Sequence, residues 1–127
     1  MKKETKMWLE LANEDYTDMK LMKKERRWRA SVFFAQQVVE KIIKAYIAEN
    51  TDKIPMKTHR IEKIINEAKL NLNEIGNPDV TLLSKAYEWV RYSDLSQMHF
   101  RKEKDIEKLI VMAENIYSWM LKKFENN

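Results

Sequence analysis

The stretch FFAQQVVEKIIKAYI, residues 33–47, decides the fold class of this chain. Its apolar residues recur at steps of three and four, which is the period of an α-helix with one buried face. The polar residues that interrupt this face are Gln36, Gln37, Glu40 and Lys41. We therefore predict a long helix over about residues 28–48.

Four other segments carry the same kind of pattern. They predict helices over about residues 4–22, 59–70, 77–92 and 102–124. With 1 glycine and 2 prolines in 127 residues, the chain lacks the turn residues that a β-sheet protein needs. The predicted fold is all-α: an up-and-down bundle of four long helices and one short helix, forming one domain over residues 1–127.

Polar side chains mark where the predicted helices begin and bend. The Thr58 hydroxyl can cap the short third helix, and Asn77 followed by Pro78 is a typical start for the fourth. After that helix, residues 93–96 read Ser-Asp-Leu-Ser, and these side chains compete for backbone hydrogen bonds. We expect a bend or a loop there.

The net charge of +4 results from 24 basic and 20 acidic residues, so most charges belong to the solvated faces of helices. The densest basic cluster is KKERRWR, residues 23–29, which contains Arg26, Arg27 and Arg29. These arginines either complement the dipole of a helix end or contact the phosphates of RNA. They are therefore candidate binding residues.

The sequence contains no recognisable signal peptide or membrane-spanning segment. Its first residues lack an apolar run, and no stretch approaches the roughly 18 apolar residues of a membrane helix. Cysteine is absent, so the fold has to rely on packing without disulfides. These features predict a cytoplasmic protein without membrane contact.

Several types of site are excluded by the residues that the chain lacks. A phosphate-binding glycine loop needs several glycines, and Gly76 is the only one. A structural zinc site needs about four cysteine or histidine ligands. The chain has no cysteine and two histidines, His59 and His99. We predict no metal and no cofactor, which leaves phosphate chemistry by side chains alone.

A set of short elements follows in a recognisable order along the chain: residues 33–47, Thr58, His59, Tyr87, Arg91 and Tyr92. This ordered set resembles the HEPN family, and the resemblance extends from Trp8 to about Tyr117. HEPN proteins are small all-helical domains found beside or fused to nucleotidyltransferases, and in toxin-antitoxin and RNA-cleaving systems. The resemblance implies a helical fold and a link to nucleotide or RNA chemistry.

The resemblance also implies a catalytic pair. Active HEPN members are metal-independent endoribonucleases in which an arginine and a histidine, separated by four to six residues, act at the cleft between two protomers. The corresponding residues here are Arg91 and His99, with seven residues between them. Eight steps along a straight helix would place them about 12 Å apart, so a bend or a second protomer is needed to bring both to one phosphate. Alternatively, Arg91 closes the end of the fourth helix and His99 is an exposed loop residue.

The HEPN-like polar residues of the second helix form a candidate binding or structural network. Its members are Gln37, Glu40, Lys41 and Lys44. Their spacing puts them along one side of the helix, where they either join helices or line a groove. His59 packs over the adjacent loop, unless it lies within hydrogen-bond reach of Arg91 and takes part in catalysis. Tyr92, beside Arg91, completes the candidate binding residues.

Helix four has more apolar surface than one core needs, which predicts a homodimer or a wide face toward one thick core. The leading functional hypothesis is a helical partner of a separately encoded minimal nucleotidyltransferase, in a toxin-antitoxin-like pair. One alternative is an active endoribonuclease that uses Arg91 and His99 on RNA. The other is a nucleotide-binding module without catalysis.

Overall fold

Six α-helices form the fold in the computed structural model, which describes residues 1–125. The helices are α1 (Lys3–Lys24), α2 (Trp28–Asn50), α3 (Ile61–Ala68), α4 (Thr81–Arg91), α5 (Ser93–His99) and α6 (Glu103–Glu125), with a 3-10 turn at Leu72–Ile75. None of these residues forms a strand, so the predicted all-α class is confirmed. The predicted domain limit at residue 127 lies outside the described residues.

Helix α2 lies at the centre of the fold, in contact with α1, α3, α4 and α6. With α1 it forms an antiparallel hairpin. The tight turn of this hairpin contains Arg26, whose φ of 60° reverses the chain direction. At the open end of the hairpin, the Lys2 backbone N–H donates to the Glu49 carboxylate at 3.0 Å.

The four helices α1, α2, α4 and α6 alternate in direction. Arg29 at the start of α2 donates to the Val90 carbonyl at the end of α4, so these two helices are antiparallel. Helix α6 runs in the same direction as α2. Near the end of both helices, the ring centroids of Tyr46 and Phe124 are 6.3 Å apart. At the other end, Trp28 lines a pocket together with the first turn of α6. The arrangement is that of an up-and-down bundle.

The core consists of apolar residues from every helix that packs on α2. Its largest fully buried members on α2 and α6 are Ile42, Ile43, Ile47, Ile106, Ile110, Ile116 and Met120. Burial of such a side chain stabilises the fold by roughly 1.5–3 kcal/mol relative to exposure. Packing in this core holds α2 rigidly. The polar residues of α2 are therefore fixed in position as well.

The lengths of the helices differ from the prediction of four long helices and one short one. Helices α1, α2 and α6 contain 22, 23 and 23 residues, whereas α4 contains 11 and α5 contains 7. The chain leaves helical geometry at Tyr92 alone, with φ −117° and ψ 126°, and residues 93–96 are helical. The Ser96 hydroxyl donates to the Trp89 and Val90 carbonyls at 2.7 and 3.1 Å. Because it satisfies carbonyls of α4, it does not compete with the backbone of its own helix.

Helices α3 and α4 begin later than predicted. Thr58 does not cap α3, because its hydroxyl accepts the Arg60 backbone N–H at 3.2 Å and closes a turn before the helix starts at Ile61. Asn77 does not cap α4, because it adopts a left-handed conformation with φ 51°. A turn then leads to the first residue of α4, Thr81.

No helix among residues 1–125 combines the length and the low charge needed to cross a bilayer.

Candidate functional site

Glu40 lies at the centre of a buried polar network on α2. Its Oε1 accepts a hydrogen bond from Gln36 Nε2 at 3.0 Å, and its Oε2 accepts one from Lys44 Nζ at 3.0 Å. The Nδ1 of His59 lies 2.8 Å from Oε1. Glu40, Gln36 and Lys44 are all buried. Within residues 1–125 every buried side-chain nitrogen or oxygen has a hydrogen-bond partner.

The environment of Glu40 keeps it ionised. Burial raises the pKa of Glu40, but hydrogen bonds from Gln36, Lys44 and His59 together outweigh this effect, and the pKa lies below the ordinary value of 4.5. A carboxylate can only accept hydrogen bonds, so His59 Nδ1 carries the hydrogen that it shares with Glu40. In the neutral ring, the lone pair is then on Nε2.

Three contacts hold His59 in place. Gln36 Nε2 donates to the His59 backbone carbonyl at 2.9 Å, and Glu40 binds the ring at Nδ1. The ring also stacks on Tyr87 of α4, with centroids 4.3 Å apart and planes inclined by 20°. The His59 side chain is nevertheless 52% exposed. A ligand in solvent can therefore reach an imidazole whose orientation is already set.

Arg91 lies beside the same tyrosine, one helical turn after it on α4. Its guanidinium carbon is 5.6 Å from the centroid of the Tyr87 ring. Arg91 and His59 line one shallow pocket, which we call the His59 pocket. Its other lining residues are Lys57, Thr58, Arg60, Ser84, Tyr87 and Glu88.

The His59 pocket has an excess of positive charge. Lysine and arginine contribute three cations, from Lys57, Arg60 and Arg91, against the single carboxylate of Glu88. Arg60 is partly neutralised, since its Nε donates to Glu62 at 3.0 Å. Arg91 is exposed, and its guanidinium makes no hydrogen bond or ion pair with another side chain within residues 1–125. The pocket therefore suits a small anion such as a phosphate group.

His99 lies on a different flank of α4. Its ring stacks on Trp89, with centroids 3.8 Å apart and planes inclined by 8°. Trp89 and Arg91 are two residues apart, so their side chains point about 200° apart around the helix. His99 lines neither of the two pockets that Arg91 lines. One protomer therefore places Arg91 and His59 in one pocket, while His99 stacks on Trp89.

The structure also differs from the alternative structural roles that the sequence suggested for His99 and Arg91. His99 is partly buried in α5 under Trp89, and is not an exposed loop residue. The end of α4 is closed by Arg29 and by Ser96, which bind its last carbonyls, and not by Arg91.

The other predicted binding residues of α2 make contacts inside the protein. Gln37 donates to Gln36 at 2.6 Å, and Lys41 forms an ion pair with Asp15 of α1. The Lys44 ammonium is bound to Glu40 and lies 5.7 Å from the centroid of the Trp8 ring. These residues connect α2 to α1 and, through Glu40, to the loop that carries His59.

The predicted arginines and Tyr92 lie on the surface. Tyr92 is 55% exposed at the break between α4 and α5. Arg26 lies 5.7 Å from the centroid of the Trp28 ring. Arg27 and Arg29 line a second pocket together with Arg91. Arg29 is fixed there, because its Nε donates to the Val90 carbonyl at 2.7 Å.

The sequence did not indicate Lys57, Arg60, Ser84 and Glu88 as pocket residues, and it indicated Tyr87 only as part of the family resemblance. Lys57 and Arg60 flank Thr58 and His59 in the run KTHR, and this basic run was a usable signal. Tyr87 precedes Arg91 by four residues, the spacing that places side chains on one face of a helix. Its role as the ring that contacts both His59 and Arg91 depends on the packing of a loop on α4, which no local pattern reports.

Among residues 1–125, no three histidine or acidic side chains are grouped closely enough to hold a metal ion.

A comparison with protein families matches residues 5–124, nearly the whole chain, to the HEPN domain. No significant match was found among curated proteins or among solved structures.

Proposed function

Because the chain belongs to the HEPN domain family, we propose that it binds the phosphate group of a nucleotide or RNA ligand in the His59 pocket. The observation that carries this proposal is the placement of His59 and Arg91 beside one tyrosine ring. An oriented imidazole and an unpaired guanidinium, with Lys57 nearby, offer several donors to a single phosphate. Phosphates bound in this way require neither a glycine loop nor a metal ion.

The proposal is tested by titrating the protein with AMP, ATP and inorganic phosphate, with heat released and thermal unfolding as readouts. Binding to the folded protein should raise the unfolding temperature with ligand concentration. Arg91→Ala should weaken binding of AMP or ATP at least about tenfold, because a charge-assisted hydrogen bond is lost. Lys122→Ala, which removes an exposed cation near the end of α6, is the matched control. Equal affinity of wild type and Arg91→Ala for AMP and ATP would exclude the His59 pocket as the phosphate site.

A second candidate function, metal-independent cleavage of RNA, is favoured by the contact between Glu40 and His59. In this reaction His59 Nε2 takes the proton of a ribose 2′-hydroxyl, and the 2′-oxygen forms a bond to the neighbouring phosphorus. The bond from phosphorus to the 5′-oxygen breaks, and that oxygen leaves with a proton from water. Arg91 would neutralise the phosphate, and Glu40 would hold the imidazole in orientation. His99, the histidine predicted from the family pattern, remains the alternative base in a cleft formed by two protomers.

Cleavage is tested on a single-stranded RNA in the presence of EDTA, with detection of a 2′,3′-cyclic phosphate end. His59→Asn keeps a donor toward Glu40 but removes Nε2, so it should abolish cleavage without unfolding the protein. His99→Gln distinguishes the two histidines, since activity should persist in this variant if His59 is the base. Cleavage that persists in both His59→Asn and His99→Gln, or in Arg91→Ala, would rule out RNA cleavage by these residues.

The predicted partner and the predicted homodimer are part of the proposal. Membership of the HEPN family motivates a separately encoded minimal nucleotidyltransferase as the partner. Apolar surface for protein contacts is present where α4 meets α5, since Tyr92 and Met98 are 55% and 68% exposed. Size-exclusion chromatography with light scattering should give twice the mass of 15.4 kDa for the protein alone. Co-purification with a co-expressed minimal nucleotidyltransferase tests the pairing, and separate elution of the two proteins at all salt concentrations would contradict it.

A further inference from the structure

Three surface pockets are neighbours, because each shares a lining residue with the next. The His59 pocket shares Arg91 with a second pocket, which we call the central groove. The central groove in turn shares Trp28 with a third pocket, which we call the basic end. Neighbouring pockets thus share Arg91 or Trp28, and the three pockets follow one another from His59 past Arg91 and Trp28 to the end of α1.

The central groove combines positive charge with aromatic surface. Its cations are Arg27, Arg29 and Arg91, and no acidic residue among residues 1–125 lines it. Trp28 and Phe33 are partly exposed along it. Arg29 is already held by the Val90 carbonyl through Nε, which leaves its two terminal nitrogens for a ligand. A groove volume of about 720 Å³ is within the range of small-molecule sites.

The basic end extends this charge beyond the groove. It is lined by Lys20, Lys23, Lys24 and Arg26, against two glutamates from α6. The Arg26 guanidinium lies 5.7 Å from the centroid of the Trp28 ring, so cation and aromatic surface are adjacent here too. The sequence explains this placement, because the hairpin turn between α1 and α2 brings all the cations of residues 23–29 to one end of the bundle.

We propose that the three pockets form one binding track for a single strand of RNA several nucleotides long. Arginines and lysines on both sides of Trp28 bind successive phosphates, and the partly exposed rings of Trp28 and Phe33 stack on bases. Alternation of cations with aromatic rings is what a single strand requires, since it exposes both phosphates and base faces. An acidic protein segment would use the cations but would not need the flat rings. The inference rests on the proposed phosphate site, because the His59 pocket is one end of the track.

The length dependence of binding is the first test. Fluorescence anisotropy should show that labelled single-stranded RNA of 12 nucleotides binds more tightly than one of 2 nucleotides, and more tightly than a duplex of the same length. The logarithm of affinity should fall with the logarithm of salt concentration with a slope of about −3, corresponding to roughly four neutralised phosphates. Equal affinity for the short strand, the long strand and the duplex would overturn the track.

Variants in the central groove provide the second test. Arg27→Gln and Trp28→Leu should each weaken binding of the 12-nucleotide strand about tenfold, as expected for one lost phosphate contact or one lost stacked base. Neither should change binding of AMP, which needs only the His59 pocket. Lys122→Gln is the matched control and should leave all affinities unchanged. Unchanged RNA binding in both groove variants would exclude the central groove as an RNA site.

The outcomes separate this inference from the proposed function. RNA binding that depends on Trp28 and Arg27 but not on Arg91, with no binding of AMP, supports the groove and rejects the His59 pocket. AMP binding that depends on Arg91, without any length dependence, supports the pocket and rejects the track. Trp28→Leu also tests whether a second copy of the chain occupies the groove. Loss of a dimer in this variant, with no RNA binding by wild type, would assign the groove to self-association and overturn the inference.

Discussion

Glu40 is the residue on which the geometry of the candidate site depends most. Its carboxylate is bonded to Gln36 and Lys44 on its own helix and to His59 on the following loop. A buried ion pair of this kind contributes little net stability when intact, but the loss of one partner leaves the other charge buried and uncompensated. Glu40 therefore affects both the stability of the fold and the orientation of the His59 ring.

Replacement of this carboxylate should give a change in stability that depends on pH. Because the pKa of Glu40 is lowered in the folded protein, its charge stabilises the fold above about pH 4.5, and this contribution is lost as the pH falls through the folded pKa. Glu40→Gln should lower the free energy of unfolding by about 3 kcal/mol at neutral pH. The difference in unfolding free energy between wild type and variant should shrink as the pH falls below about 4.5 and through the lowered pKa of folded Glu40. Urea unfolding across this range measures both quantities.

Two features make this measurement specific to Glu40. The pKa of Glu49 is also lowered, first by a hydrogen bond from the Lys2 backbone N–H, but this contribution is present in both proteins and cancels in the difference. Glu107→Gln, at an exposed position on α6, should change the stability by less than about 0.5 kcal/mol. If the free energies of unfolding of wild type and Glu40→Gln differ by the same amount from neutral to acid pH, the assignment of an ionised Glu40 is contradicted.

The junction between α4 and α5 determines where Arg91 lies. Only Tyr92 leaves helical geometry there, and the last carbonyls of α4 are bound by Ser96 from α5 and by Arg29 from α2. These contacts leave the Arg91 side chain exposed at the helix end. They also place α5 so that His99 covers Trp89. This break therefore places His99 beside Trp89, whereas His59 is held by Glu40 and Tyr87.

Removal of the Ser96 hydroxyl should loosen this junction. Ser96→Ala leaves the Trp89 carbonyl without its side-chain donor, which should cost about 1 kcal/mol of stability. Because α5 has only 7 residues, its amides should exchange hydrogen faster in the variant, while those of α2 should be unaffected. Hydrogen exchange measured by NMR or mass spectrometry checks this. Ser93→Ala, at an exposed position, is the control, and equal exchange in both variants would argue against a special role for Ser96.

The molecule as a whole is stabilised by the packing of α1, α4 and α6 around α2. Ile43 is fully buried at this centre, whereas Val111 on α6 is 51% exposed. Ile43→Ala should lower the free energy of unfolding by about 2–5 kcal/mol, because it removes buried methyl groups and leaves a cavity. Val111→Ala should change it by less than about 0.5 kcal/mol. Thermal unfolding monitored by circular dichroism measures both, and similar effects for the two variants would contradict a core centred on α2.

Much of this architecture was predictable from local patterns along the chain. The apolar spacing of residues 33–47 predicts α2, and the predicted range 102–124 agrees closely with α6, because the three- and four-residue period reports which face of a helix is buried. The run KKERRWR likewise indicated where positive charge would concentrate. Less was predictable at the ends of α3 and α4. There, side chains such as Thr58 and Ser96 satisfy backbone groups of a turn or of another helix.

The identity of the histidine beside Arg91 could be read only from the folded chain. Along the sequence His99 is the nearer one, 8 positions away, whereas His59 is 32 positions away. Periodicity describes one helix at a time, so it reports the buried face of α2 but not which loop closes over Glu40. That choice depends on contacts between distant residues: Glu40 with His59, His59 with Tyr87, and Arg29 with Val90. Such pairs form only when the whole core has packed, because the free energy of packing then holds the loop and α4 against α2.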